Sequence, residues 1–264
     1  MSLFEIILLG IIQGLTEFFP VSSSGHLVLF QNLFGLREPQ LFADIMLHVG
    51  TLISLFIFLR REILELIQSF GRFCLNPRKN ISDPNIRLIL FLVLASVPTA
   101  LIGYFFYGFF EPLFASLRTT GCALLVTGTF LFLTQKAREK KKKNFFHPLL
   151  IGTLQGIALV PGFSRSGLTI GGALFLGWRK KDSAQFSFLL SIPSIIGSAF
   201  FELQKADLNS QTWIILSVGA LIAAIFGLLA LIFLVRLILK GKFHTFSFYC
   251  FFIGTAAIIA SFLI

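Results

Sequence analysis

Charged residues and cysteines are both scarce in this sequence. Asp, Glu, Lys and Arg together make up 13% of the residues, whereas 56% are hydrophobic. With so few charges, a chain of 264 residues leaves no room for a large soluble domain. The three cysteines are scattered, odd in number and without metal-ligand spacing: Cys74, Cys122 and Cys250. We therefore expect neither a disulfide framework nor a cysteine metal site.

The N-terminal segment also lacks a basic stretch and a small-residue cleavage site. A secretory signal peptide needs both, so we interpret the first residues as part of the mature protein. What the sequence has instead is a series of long apolar runs. Runs of about 20 apolar residues cross a bilayer as helices, which satisfy their own backbone hydrogen bonds within lipid. We predict a single all-α polytopic membrane domain over residues 1–264.

The basic residues account for a formal net charge of +10. A nucleic-acid-binding protein would spread such charge over one surface. Here it clusters at the ends of apolar segments, in residues 60–61, 136–143, 179–181 and 236–242. Cytoplasmic loops of membrane proteins carry this excess of Lys and Arg. We therefore expect the bilayer as a partner and no nucleic acid.

Six full membrane spans are predicted between these clusters. They cover residues 41–59, 86–107, 118–134, 183–203, 211–235 and 244–264. If every basic cluster is cytoplasmic, the spans alternate in direction without conflict. The loop at residues 35–40 and the C-terminus then lie outside the cell.

Two more apolar segments are too interrupted to form pairs of spans. Residues 1–34 exit on the outer side, so we interpret them as a re-entrant hairpin that enters from that face. Residues 145–177 lie between cytoplasmic clusters and form the corresponding hairpin from the cytoplasm. The predicted fold is six transmembrane helices plus two re-entrant helical hairpins, in an inverted-topology repeat of residues 1–143 and 144–264. Paired broken segments of this kind indicate a binding site where the repeats meet.

The first broken segment contains polar groups that are out of place in lipid. Gln13 and Glu17 are four residues apart and share one helix face. Pro20 ends that helix, because the residue before a proline disfavours the α conformation. The stretch from Ser22 to His26 reads SSSGH, and serine is a favoured cap for a new helix. The pattern predicts two half-helices with a polar break between them.

The second broken segment repeats this design at residues 155–169. It reads QGIALVPGFSRSGLT, against QGLTEFFPVSSSGH for the first. Arg165 stands between Ser164 and Ser166 at the predicted start of a helix, where free N–H groups favour an anion. Its guanidinium is a rigid fork matched to phosphate oxygens. These three residues are therefore candidates for binding a phosphate, and the alternative for Arg165 is a side chain that reaches the membrane interface.

Glu17 is the leading candidate for chemistry in the first segment. A carboxylate at the bilayer centre costs about 2.5–3.5 kcal/mol on insertion scales, so it marks function unless it serves only as a structural ion pair with Arg165. Ser23 and His26 are three residues apart, and one can be a nucleophile with the other as its base. A satisfied core histidine is the alternative for His26. We interpret His48, in the first full span, as structural.

The remaining serines, and the threonine of the second segment, have two open interpretations. Ser22 and Ser24 either bind the substrate phosphates or only cap a helix. Thr169 lies one turn into the second half-helix, where it either donates to a phosphate or bonds back to its own helix.

Gln13 and Glu17 are the candidate metal ligands. Their oxygens can hold a hard divalent cation, Mg²⁺ or Ca²⁺, if phosphate oxygens complete the coordination. The alternative for Gln13 is a hydrogen bond between helices. A carboxylate, an arginine, hydroxyls and helix N-termini at membrane depth suit a diphosphate, and the natural diphosphate in a membrane is a lipid headgroup.

At these residues the sequence resembles the undecaprenyl-diphosphate phosphatase family, also called the bacitracin-resistance family. The matching motifs are Gln13 with Glu17, then PVSSSGH from Pro20, and PGFSRSGLT from Pro161 to Thr169. Together they place the resemblance along essentially the whole chain.

The resemblance implies hydrolysis of undecaprenyl diphosphate with a divalent cation at the outer face of the bacterial cytoplasmic membrane. The product recycles the lipid carrier for peptidoglycan synthesis and gives bacitracin resistance. Glu17 would then be the metal or acid–base carboxylate, and Ser23 and His26 would act in phosphoryl transfer. Arg165, Ser164 and Thr169 would bind the diphosphate.

Several alternatives stay open from sequence. The nucleophile is Ser23, His26 or an activated water. A flippase for polyprenyl phosphate or a phosphate transporter would use the same broken helices. The oligomeric state is also open, a homodimer included.

Overall fold

The computed structural model describes residues 2–36, 40–110, 112–113, 116–140, 143–203 and 210–262. Regular structure within these ranges is helical, and they contain no strand. The helices are α1 Leu3–Phe18, α2 Ser23–Leu33, α3 Leu41–Phe58, α4 Arg60–Leu75, α5 Pro77–Asn80, α6 Pro84–Phe110, α7 Leu117–Leu133, α8 Phe146–Ile157, α9 Arg165–Phe175, α10 Lys180–Leu203, α11 Ser210–Leu239 and α12 Phe246–Ala260. Short 3₁₀ turns follow α7 and precede α12. The predicted all-α class is confirmed.

The spanning helices agree with the prediction in place but not in every boundary. Among the described residues five helices, α6, α7, α10, α11 and α12, are long and apolar enough to cross a membrane. A sixth candidate joins α3 to α4, which bend by 76° across Leu59. Helix α10 begins at Lys180 instead of 183, and α11 continues to Leu239 instead of 235.

Four predicted regions lie partly beyond what the structure describes, among them the first hairpin at residue 1 and a basic cluster at residues 141–142. Residues 37–39 of the expected outer loop fall outside the described residues, and so do residues 263–264 of the last predicted span.

Four short helices form two hairpins, α1 with α2 and α8 with α9. The 11 residues of α2 or α9 rise about 16 Å, roughly half of a bilayer core of about 30 Å. Both breaks contain a residue with positive φ, Ser22 at 65° and Gly162 at 97°. Glycine adopts this region freely, whereas serine is strained there. Ser22 therefore depends on surrounding bonds to keep its conformation.

Glycines bring the hairpins into close contact with long helices. Helix α1 packs on α11, and α8 packs on α6. A Cβ added at Gly10 would lie 2.7 Å from the carbonyl oxygen of Gly219, and one at Gly152 would lie 2.0 Å from that of Ala95. Because these distances are too short for a side chain, the helices meet backbone to backbone.

The end of α1 lies in the largest apolar cluster. Phe18 packs there with Leu55 of α3, Phe188 of α10 and Leu231 of α11. The rings of Phe18 and Phe188 meet edge to face with centroids 6.0 Å apart. The neighbouring Glu17 is therefore enclosed by packed protein and is 4% exposed.

Candidate active site

Glu17, in the last turn of α1, is the centre of a buried polar cluster. Its Oε2 accepts a hydrogen bond of 2.8 Å from Gln13 Nε2 and one of 2.6 Å from Ser23 Oγ. Its Oε1 accepts from Arg165 Nη2. The predicted helix face and the predicted half-helix start thus converge on one carboxylate.

Arg165 reaches this carboxylate from the other hairpin. It is the first residue of α9, and its side chain is 19% exposed. The opposite charges of Arg165 and Glu17 stabilise each other in a site with little water. An anionic substrate would compete for the guanidinium, whose five N–H donors can serve two acceptors at once.

The tips of the two hairpins are bonded directly to each other. Ser22 Oγ accepts a hydrogen bond of 3.0 Å from the backbone N–H of Gly162 and one of 3.2 Å from that of Gly25. Ser166 Oγ donates to the carbonyl oxygen of Phe19 over 3.1 Å. The breaks in the two segments, which the sequence predicts to meet, are therefore one structural unit.

Helix α7 supports this unit from the side. Thr127 Oγ1 donates to the carbonyl oxygen of Gly162 over 3.0 Å and accepts from the backbone N–H of Ser164 over 3.2 Å. Thr127 carries no sequence motif, and only its burial within a predicted span would have indicated it. It fixes the turn that places Arg165.

The predicted phosphate-binding hydroxyls have mixed surroundings. Ser164 Oγ caps α9 by accepting from the N–H of Gly167, and Ser22 plays the same role for α2. Ser24 is partly exposed, with its Oγ 3.4 Å from that of Ser22. Thr169 Oγ1 donates to the carbonyl oxygen of Arg165 over 2.7 Å, so it bonds to its own helix.

Backbone N–H groups remain available beside these hydroxyls. The first-turn amides of a helix have no partner in its own ladder. Those of Ser23 and Ser24 in α2, and of Arg165 and Ser166 in α9, are of this kind. Two helix N-termini thus lie beside the Glu17–Arg165 pair, where they favour an anion.

His26 lies near the cluster but does not bond to Ser23. Its Nδ1 is 2.8 Å from the carbonyl oxygen of Ser22, and its Nε2 is 2.8 Å from the hydroxyl of Tyr249. The hydroxyl of Ser23 is held by Glu17 instead. In this arrangement the group placed to take the proton of Ser23 is therefore the carboxylate.

His48 belongs to the cluster, although we predicted a structural role for it. Its Nε2 lies 3.3 Å from Glu17 Oε2, and its Nδ1 is 2.7 Å from the carbonyl oxygen of Asp44. A nitrogen that faces a carbonyl oxygen must carry a proton. His48 was missed because it stands on α3 without a motif, although a histidine at membrane depth is itself a signal of function.

A metal ion would find few protein ligands here. The described residues contain no group of three or more His, Cys, Asp or Glu that could hold one. Gln13 Oε1, however, is a buried oxygen without a hydrogen-bond partner in that part of the chain. Because this oxygen lies on the side chain that bonds Glu17, the pair fits a cation that takes its other ligands from phosphate.

The fold and this cluster define a polytopic helical membrane protein with a buried carboxylate–arginine–serine site. The sequence profile described as bacitracin resistance protein BacA matches residues 6–256. The chain therefore belongs to the bacitracin resistance protein BacA family.

Curated relatives match the chain along its length. It is 41% identical over 272 residues to the undecaprenyl-diphosphatase of Desulfatibacillum aliphaticivorans, covering 98% of this chain and 99% of that protein. It is 41% identical over 275 residues to the undecaprenyl-diphosphatase of Desulforapulum autotrophicum, covering 100% of both. With the undecaprenyl-diphosphatase of Halothermothrix orenii it shares 39% identity over 266 residues and 98% of each chain.

Proposed function

We propose that this protein hydrolyses undecaprenyl diphosphate to undecaprenyl phosphate and inorganic phosphate. Full-length relatives at 39% to 41% identity carry the name undecaprenyl-diphosphatase. The observation that supports the chemistry best is the 2.6 Å hydrogen bond from Ser23 Oγ to Glu17 Oε2. A transport site must bind its cargo, but it has no need of a hydroxyl held on a carboxylate base.

In the first step Ser23 is the nucleophile and Glu17 its base. Glu17 takes the hydroxyl proton as Ser23 Oγ bonds to the terminal phosphorus. The bond from that phosphorus to the bridging oxygen breaks, and undecaprenyl phosphate leaves with its electron pair. Arg165 and the first-turn amides of α2 and α9 stabilise the charge on the phosphoryl oxygens.

In the second step water releases the phosphoryl group from Ser23. The water oxygen bonds to phosphorus, the bond to Ser23 Oγ breaks, and Glu17 returns the proton to Oγ. Both water protons leave with the inorganic phosphate. The site is then ready for another lipid.

A divalent cation would be held by Gln13 and Glu17 together with the substrate. Gln13 Oε1 is the buried oxygen without a hydrogen-bond partner within the described ranges, and Glu17 contributes a carboxylate. We assign Mg²⁺ or Ca²⁺ to these oxygens, with phosphate oxygens completing its shell. When bound, the cation neutralises part of the charge of the diphosphate.

The inverted repeat is part of this proposal. In it α1 corresponds to α8 and α6 corresponds to α11. The packing of α1 on α11 and of α8 on α6 is then one contact made twice, with the halves exchanged. The repeat also relates α3 to α10 and α7 to α12. The contact within each of these two pairs is unchanged when the halves are exchanged. This pairing supports six spans and two re-entrant hairpins.

The location follows from the same topology. With the basic loops in the cytoplasm, the first hairpin enters from the outer face of the bacterial cytoplasmic membrane. The lipid diphosphate reaches the site from the outer leaflet. The product, undecaprenyl phosphate, is the lipid carrier that peptidoglycan synthesis reuses.

The test is phosphate release from a C55 lipid diphosphate by the purified protein in detergent. We expect release that needs a divalent cation and that falls to background in Arg165→Ala. Arg179→Ala is the matched control, since the exposed Arg179 side chain donates to Asp182 and, among the described residues, to no part of the Glu17 cluster. If the folded protein binds the lipid but releases no phosphate, the result would favour the transporter alternative.

A further inference from the structure

Tyr249, on α12, is bonded to one of the predicted site residues. Its hydroxyl lies 2.8 Å from His26 Nε2, and the planes of the two rings differ by only 8°. Tyr249 belongs to the last helix of the chain and is 223 positions from His26 in sequence. No motif connects them, so only the fold brings this pair together.

The hydrogen bonds of His26 determine which of its two ring nitrogens carries the proton. The carbonyl oxygen of Ser22 can only accept, so His26 Nδ1 must carry a hydrogen to bond it. In a neutral imidazole the other nitrogen is then an acceptor. The hydroxyl of Tyr249 therefore donates to His26 Nε2. Two partners, one on each nitrogen, hold the ring in one tautomer and one orientation.

Helix α12 is itself fixed against the first hairpin. Cys250 Sγ donates to the carbonyl oxygen of Pro20 over 3.4 Å. The ring of Phe246 lies 5.3 Å from that of Phe19. Because both residues are within one turn of Tyr249, the position of its hydroxyl is set by packing on the hairpin.

Tyr249 is much more exposed than the histidine to which it is bonded. Tyr249 is 43% exposed, whereas His26 is 4% exposed. The basic nitrogen of His26 thus faces the hydroxyl of Tyr249, whereas the hydroxyl of Ser23 bonds to Glu17. It is suited to a different proton transfer from the one that activates Ser23.

We propose that Tyr249 is a positioning residue that holds His26 for the attack of water on phosphorylated Ser23. This inference rests on the proposed phosphatase function. The Tyr249 hydroxyl holds the ring until the water arrives, and the water then takes its place as the donor to Nε2. His26 takes one water proton as the water oxygen bonds to phosphorus and the bond to Ser23 Oγ breaks. Glu17 returns its proton to Oγ, and His26 then gives its extra proton to the departing phosphate.

The first experiment compares Tyr249→Phe with Tyr104→Phe in phosphate release. Tyr104 is 72% exposed on α6, so its hydroxyl loss should leave kcat unchanged. We expect Tyr249→Phe to lower kcat about 10-fold. This is the low end of the loss that follows removal of a partner that orients a functional histidine. KM should change less than about twofold, because the substrate contacts are kept. An unchanged kcat would overturn the proposal, whereas an inactive wild type would overturn the phosphatase function itself.

A double-mutant cycle separates positioning from packing. If Tyr249 acts through His26, Tyr249→Phe should have no further effect in a His26→Ala protein that retains a residual rate. Additive losses would mean that Tyr249 supports some other part of the molecule.

A third measurement does not depend on activity. With ¹⁵N-labelled histidine the protein has only four imidazoles to resolve. The His26 signal, identified as the one absent from His26→Ala, should show Nδ1–H in both proteins, because the carbonyl oxygen of Ser22 accepts from that nitrogen. Its Nε2 resonance should shift in Tyr249→Phe, because the hydroxyl that donates to Nε2 is lost. Identical histidine spectra for the two proteins would show that the hydroxyl does not fix the ring.

Discussion

Gln13 and Gln155 occupy equivalent positions in the two hairpins, and each has a buried Oε1 without a hydrogen-bond partner in the described part of the chain. Four residues further on, the first hairpin has Glu17 and the second has Leu159. Gln155 Nε2 donates instead to Thr99 Oγ1 over 3.3 Å. The two hairpins are thus alike in backbone design, but only the first carries a carboxylate. Among the described residues, the proposed catalytic carboxylate is therefore present in one hairpin and absent from the other.

This difference gives a prediction for Gln13→Glu. With a second carboxylate beside Glu17, the site should bind a divalent cation more tightly, because at present it offers the cation a single negatively charged ligand. We expect the Mg²⁺ concentration for half-maximal activity to fall severalfold. Gln155→Glu is the matched control, since it adds the same charge where no carboxylate is nearby. An unchanged Mg²⁺ requirement in Gln13→Glu would count against a cation on these oxygens.

Ser23→Ala should lower phosphate release by at least about 100-fold, because it removes the proposed nucleophile. The measurement is single-turnover release together with a search for a phosphorylated protein after acid quench. Ser96→Ala is the control, because Ser96 Oγ donates to the carbonyl oxygen of Leu92 in its own helix and makes no other hydrogen bond in the described part of the chain. A Ser23→Ala protein with the wild-type rate would leave His26 or an activated water as the nucleophile.

His48 provides a test of the cluster around Glu17. His48→Gln keeps an N–H donor at about the same reach, whereas His48→Leu removes the partner of a buried carboxylate oxygen. We expect most of the activity to survive in the first variant and about 10-fold or more to be lost in the second. Equal rates in both would show that His48 only fills space.

Gly152→Ala should destabilise the protein by about 1–3 kcal/mol, the range for overpacking a tight contact. The new Cβ would meet the Ala95 carbonyl oxygen at 2.0 Å, and backbone cannot turn away as a side chain can. Thermal unfolding in detergent measures the effect. Gly197→Ala is the control, since no atom of the described residues lies within 4 Å of its Cβ position. It should be neutral or stabilising, because alanine is the better helix former.

We expect the stability of the protein to depend on pH through His147, which lies at the start of α8 and outside the predicted spans. Trp178 Nε1 donates to His147 Nδ1 over 2.8 Å, which requires that nitrogen to be unprotonated. Burial, helped by the positive charge of Lys140, holds the pKa of His147 below its ordinary value of 6.5. The folded state thus favours neutral His147, and its stabilising effect is complete above pH 6.5 and declines as the pH falls below it.

Thermal unfolding between pH 5 and pH 7.5 checks this effect, with tryptophan fluorescence as a second reading. His147→Asn should remove this part of the pH dependence, because it has no group that titrates there. A variant with the full wild-type pH dependence would assign the effect to other residues.

The sequence predicted the class, the broken hairpins and most of the central cluster. Those features are local: prolines, serine caps and charges within apolar runs act on neighbouring residues. Glu17 and Arg165 could be paired in advance because each is too costly to leave alone in a membrane. A homodimer stays a prediction.

Other parts of the site depend on tertiary packing. His48, Thr127 and Tyr249 come from three long helices whose sequences show no motif around them. Their roles follow from the way α3, α7 and α12 pack on the hairpins, and periodicity does not encode that packing. The bend at Leu59 falls where the first predicted span ends, although no proline or glycine marks it.

The bond between the Ser22 hydroxyl and the Gly162 amide has a genetic consequence. The proposed site is assembled from both halves of one polypeptide, so we expect a lesion in either half to disable the same centre. Two damaged copies in one cell, one lacking Glu17 and the other lacking Arg165, would each fail alone. They could restore phosphatase activity together only if halves from different chains combined. Without such exchange, the two alleles would fall into a single complementation group.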